Sequence, residues 1–198
     1  MNSQPEKQGR DRPVIIKKHP FPVWTLAWSP DSIQVASAGN SREVWLWDAS
    51  TGRVRLIVRH SAPAVRALAW SPDGQCLAAG GNDGTIFLWD TSTGKAMLTY
   101  GLHRRPVSVL AWSPDGSQIG SSSSDDSLLQ IWNTASGERV FHYRHGFYKE
   151  KDITYALAWS PDSKYLAIGG WFLRLYLWDI TTGKLVGWSW DEDHIAFG

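Results

Sequence analysis

The stretch VRALAWSPDGQCLAAGGNDGTIFLWD, residues 65–90, alternates short apolar runs with turn residues, and its reading decides the fold. Val65 to Trp70 reads as a buried strand that Ser71-Pro72-Asp73-Gly74 breaks. Proline presets φ at the second position of a turn, and glycine suits the fourth. Cys76 to Gly80 is a second short strand, Asn82-Asp83-Gly84 a hairpin signal, and Thr85 to Trp89 a third strand. A Ser/Thr-rich turn ending at Gly94 leads into a fourth, Ala96 to Tyr100. A sheet of four short strands is too thin to bury both faces alone, so copies of it must stack. Stacking covers both sides of each sheet, which explains strands that are apolar throughout and lack clean alternation.

The copies are present. Trp-Ser-Pro-Asp begins at Trp28, Trp70, Trp112 and Trp159, with offsets of 42, 42 and 47 residues. A second marker runs in phase with it: Leu46-Trp47-Asp48, Leu88-Trp89-Asp90, Ile131-Trp132-Asn133 and Leu177-Trp178-Asp179. Behind each lies a turn ending in Gly52, Gly94, Gly137 or Gly183. The expected organisation is a polar, disordered tail over 1–12 and one repeat domain over 13–198. Its units span about 20–60, 61–103, 104–145 and 146–190, and 191–198 reads as the lead-in to a further unit.

Composition excludes more than it assigns. A net charge of +1 with 20% charged residues gives no electrostatic argument for nucleic acid or a membrane surface. The single Cys76 rules out an intrachain disulfide and a multi-cysteine metal site. No apolar run approaches the roughly 18 residues of a spanning helix. Met1 to Arg12 is polar, so no secretory leader is expected and the expected compartment is the cytoplasm. No carboxylate pair, Ser-His-Asp arrangement or phosphate loop stands outside the repeat, so neither catalysis nor a cofactor is expected.

With these markers the chain resembles the WD-repeat β-propeller family, in which blades of about 40–45 residues carry Gly-His and Trp-Asp signatures. The resemblance runs over about residues 13 to 198 and implies an all-β fold of four blades, each of four antiparallel strands. It also implies a buried tetrad of His, Ser/Thr, Asp and Trp that locks each blade. Blade three carries the full set in His103, Ser121, Asp126 and Trp132, and blade two has His60, Asp83 and Trp89 with Ala79 in the serine place. Blade one has His19, Ser37 and Trp47, with Ser41 at the aspartate place. Blade four keeps His145 and Trp178 but places Ile168 and Phe172 at the other two positions, and is expected to be least regular. Recurrence of these histidines blade by blade favours a structural role over a catalytic or metal-binding one.

By the same resemblance, partners bind one face of the disc, where the first strands begin and the second and third strands join. There the sequence places Trp24, Arg66, Ser108 and Tyr155 beside the first-strand starts, and Asn40, Asn82, Asp125 and Trp171 in the hairpin turns. Trp, Tyr and Arg dominate binding energy at interfaces. The expected partner patch is therefore Trp24, Arg66, Tyr155 and Trp171, with Asn82 and Asp125 beside it. The competing role for Trp24 and Trp171 is to fill gaps left by incomplete tetrads. The insertion Gly146 to Asp152 would project from this face. The expected function is a non-enzymatic scaffold or docking module binding proteins or peptides. The alternatives are a hydrolase-like propeller enzyme with a central-channel site, or an architectural part of a larger signalling protein.

Strand accounting leaves ring closure open, because Pro13 to His19 matches the outer strand Val54 to His60, and Leu185 to Trp190 supplies another. The first expectation is part of a longer propeller of about seven blades. The second is a homodimer closing an eight-bladed ring, and the third is four blades closing alone.

Overall fold

The computed structural model describes residues 19–101, 103–123, 128–144, 154–170, 175–189 and 195–197. Blade one comprises β1 (Val23–Trp28), β2 (Gln34–Gly39), β3 (Glu43–Asp48) and β4 (Val54–Arg59). Blade two comprises β5 (Val65–Trp70), β6 (Cys76–Gly81), β7 (Ile86–Asp90) and β8 (Ala96–Tyr100). Blade three follows with β9 (Val107–Trp112), β10 (Gln118–Ser123), β11 (Leu128–Asn133) and β12 (Arg139–Arg144). Blade four has β13 (Thr154–Trp159), β14 (Tyr165–Gly170), β15 (Leu175–Asp179) and β16 (Lys184–Ser189). Each set pairs antiparallel in chain order, giving the four all-β blades the repeat requires. Within the stretch read as a lead-in, β17 (Ile195–Phe197) pairs antiparallel with β16 and adds a fifth strand to blade four.

Side-chain chemistry closes the turns. After β5, Ser71 Oγ donates to Asp73 Oδ1 at 2.6 Å and accepts the Cys76 N–H at 2.8 Å, while Asp73 accepts the Gln75 N–H at 2.9 Å. The same knot recurs at Ser29/Asp31, Ser113/Asp115 and Ser160/Asp162. A serine donor holds each of these aspartates below its ordinary carboxylate range. Proline stops the strand and the Ser/Asp pair supplies the bonds the broken ladder loses.

Alternation along the strands sorts side chains onto two faces, one toward the preceding blade (leading) and one toward the next (trailing). Leu68, Trp70, Leu77, Ala79 and Trp89 of blade two pack against Ala36, Ala38, Val44, Leu46 and Val58 of blade one. Ala67, Ala78, Ile86, Leu88 and Tyr100 then meet Leu110, Ile119 and Trp132 of blade three. Leu129 and Ile131 meet Leu166, Ile168, Tyr176 and Trp178 of blade four.

A polar rung crosses every seam. The Trp70 indole N–H donates to the Ala27 carbonyl at 3.0 Å, Trp112 to Ala69 at 3.0 Å, and Trp159 to Ala111 at 3.1 Å. The tryptophan that ends the inner strand of blades two, three and four therefore registers each on the blade before it. Among the described residues the stack runs in chain order from blade one to blade four and is not closed into a ring.

Candidate functional site

The inner strands start with a shared irregularity. Val23 pairs with Gly39 and Thr25 with Ala38, so Trp24 has no ladder partner. The same skip falls at Arg66, between Val65–Gly81 and Ala67–Gly80, and at Ser108, between Val107–Ser123 and Val109–Ser122. It falls again at Tyr155, between Thr154–Gly170 and Ala156–Gly169. Each is the extra residue of a β-bulge, a device that re-aims a side chain out of the sheet. The four inner strands adjoin one another, so the bulges form a row across the stack.

Three of the four carry large side chains into solvent: Trp24 is 46% exposed, Tyr155 56%, and Arg66 is exposed as well. The Arg66 guanidinium carbon lies 5.0 Å above the Trp24 ring, within cation–π range. Its Nε donates to Asn82 Oδ1 at 2.5 Å. Trp24, Arg66 and Asn82 are thus assembled from two blades into one preorganised group. Ser108 turns back onto the backbone, 3.3 Å from the Ser122 carbonyl. Among the described residues Trp24 meets Arg66 of blade two, whereas the ring cluster at the blade-one tetrad is His19, Trp45 and Trp47. Trp171, Asp125 and the insertion 146–152 lie outside the described residues.

Backbone ties hold this row in place. The Asn40 N–H donates to the Pro22 carbonyl and the Asn82 N–H to the Ala64 carbonyl, each at 3.0 Å, clamping hairpin turn to entry loop. At Gly39 a Cβ would come within 1.9 Å of the Pro22 oxygen, so only glycine permits the approach. Gly84, at φ +81°, meets the His103 carbonyl in the same way, joining the turn of blade two to the entry of blade three.

The tetrads differ blade by blade. In blade three, His103 Nε2 and Ser121 Oγ are 2.8 Å apart and the Trp132 indole donates to the same oxygen at 2.9 Å. All three residues are buried, and Asp126 lies outside the described residues. In blade two the histidine finds backbone instead. His60 Nε2 donates to the Ala79 carbonyl at 3.3 Å, and Nδ1 accepts the Ala62 N–H at 2.9 Å. Both ring nitrogens are satisfied in the neutral form, and burial pushes the imidazole below its ordinary value. Asp83 binds Ser61 and Thr85, and the His60 ring sits edge-on to Phe87 and Trp89. In blade one, Trp47 donates to Ser37 at 2.7 Å, while His19 lies over Trp45 and Trp47 with Nδ1 bonded to the Phe21 carbonyl. Ser41 accepts the Glu43 N–H from the aspartate position. In blade four, Ile168 stands where Ser121 would, and among the described residues the buried Trp178 N–H has no acceptor. Tyr143 and Phe141 pack on its ring at 4.3 and 5.4 Å, while His145 and Phe172 lie outside the described residues.

Sequence reasoning missed two parts of this arrangement. One is the seam rung, whose visible signal is an alanine before every strand-ending tryptophan: Ala27, Ala69, Ala111 and Ala158. The other is the Arg66–Trp24 contact, readable only if equal repeat positions are taken as neighbours in space.

The family model for the WD domain, G-beta repeat, matches residues 12–48, 52–90, 94–133 and 140–179. No curated protein sequence matches the chain significantly. Four matches in phase over most of the chain, joined to four stacked four-stranded blades, place it in the WD domain, G-beta repeat family.

Proposed function

We propose that the chain binds a partner protein or peptide on the bulged row of Trp24, Arg66 and Tyr155, with Asn82 orienting Arg66. WD repeats are in general protein-interaction modules and typically non-enzymatic. The observation that carries the reading is the recurrence of one bulge in four blades, with Trp, Arg and Tyr as three of the four displayed residues. These types supply large contact area at small entropic cost and dominate interface energy. Preorganisation adds to this, since the cation–π contact and the Asn82 bond limit the freedom Arg66 loses on binding. Trp171 and Asp125 are proposed members of the same rim, from their places in the hairpin turns of blades four and three.

Affinity capture from the native host, followed by titration of the purified partner, tests the reading. The double variant Arg66→Ala/Tyr155→Ala should weaken binding by ten- to a thousand-fold, about 1.4–4 kcal/mol, with an unchanged circular dichroism spectrum. Unaltered affinity in a folded double variant would sink it.

A further inference from the structure

Equal positions of the repeat are buried within the stack and bare at its two ends. On the leading face, Leu68 is 8% exposed and Trp70 8%, but their blade-one counterparts Leu26 and Trp28 are 65% and 61% exposed. On the trailing face, Val44, Ile86 and Leu129 are fully buried, but Leu175 of blade four is 53% exposed. Ala156 and Ala158 beside it are exposed as well, whereas Ala67 is buried. The rung pattern ends in the same way. Among the described residues Trp28 has no preceding blade whose carbonyl could accept its N–H, and Ala158 has no following tryptophan to bond.

These are the two halves of one contact. Each internal seam joins a leading face bearing Leu and Trp to a trailing face of Ala and branched aliphatics, with a Trp-to-Ala rung across it. The open leading face fits a trailing face of this pattern, and every copy of the chain presents one. We propose that two copies associate head to tail, the trailing face of blade four in each seating on the leading face of blade one in the other. Both seams then close, giving a ring of eight blades, within the usual range of about four to eight. Trp28 of one copy donates to the Ala158 carbonyl of its partner, repeating the three internal rungs. A heterologous contact of this kind gives a closed ring when its rotation returns on itself and a filament when it does not. Mass reads this pairing and partner affinity reads the bulged row, so either proposal can fail while the other stands.

Mass by light scattering or sedimentation tests the pairing. At 100 μM or so, above the range typical of specific pairs, the wild type should weigh twice its chain mass of 22.2 kDa. Leu26→Asp and Leu175→Asp should each halve the mass while keeping a β-sheet spectrum, since both side chains are exposed in a single copy. An equimolar mixture of the two variants should regain the doubled mass, because one seam of the mixed pair unites two unaltered faces. Unfolded variants could not restore it. A monomeric wild type, a Leu175→Asp variant that stays dimeric, a mixture that stays monomeric, or a mass rising without limit would each overturn the head-to-tail ring.

Discussion

Ser121 shows how much one hydroxyl can hold. Its Oγ is fully buried, receives the Trp132 indole at 2.9 Å, lies 2.8 Å from His103 Nε2, and reaches the Gln130 carbonyl at 3.4 Å. Truncation would orphan two buried groups, and each costs about 1–3 kcal/mol. Ser121→Ala should therefore destabilise the chain by about 2–4 kcal/mol in chemical denaturation. A loss below about 0.5 kcal/mol, the scale of a surface change, would contradict the network. The Ser–Trp halves of this and of the Ser37–Trp47 pair were implied by the family resemblance, whose motif names side chains for both donor and acceptor. The His60 arrangement was not. Its partners are the carbonyl of Ala79 and the N–H of Ala62, and backbone groups leave no trace in residue type. Trp45 was also underread: it stacks on Trp47 and donates to Glu43, holding a place that Phe87 fills in blade two.

At the scale of elements, turns and bulges matter more than the strands they interrupt. The turns after the third strands are tied by Asp48 and Asp90, whose carboxylates accept bonds from Ser50 and Thr51, and from Ser92 and Thr93. Those bonds favour the charged form and lower both groups from 3.8 to about 2. A depressed folded pKa means that the unfolded chain binds more protons as acid is added. The stabilisation is complete above the ordinary carboxylate value and is lost as pH falls from about 4 to about 2. Melting temperature should drop across that window, and Asp90→Asn should flatten the drop. Blade three already carries Asn133 there, accepting the Ala135 and Ser136 N–H groups. An equally steep drop in the variant would contradict the assignment. These turns were readable from Ser, Thr, Asp and Gly alone. The bulges were not, since a register skip depends on how β1 and β2 pair, not on which residues compose them.

For the whole molecule, the segment that the family model matches is offset from the blade that folds. Each family match ends with the third strand of a blade, and the later three begin just before or within the outer strand of the blade preceding it. The period gave the number of blades, and the turn pattern from Val65 to Tyr100 gave the four consecutive strands that share a sheet. Equal repeat positions, mapped by the resemblance, also placed Trp24, Arg66 and Tyr155 in one row, although only stacked blades bring Arg66 over Trp24. The central claim is that this row meets a partner. Amide hydrogen exchange of the chain with and without its captured partner tests it most directly. Protection should concentrate at residues 22–25, 39–41, 64–67, 81–83 and 154–156, and the turns near Asp48, Asp90 and Asn133 should exchange unchanged. Protection confined to those turns, with none at the bulges, would contradict the account.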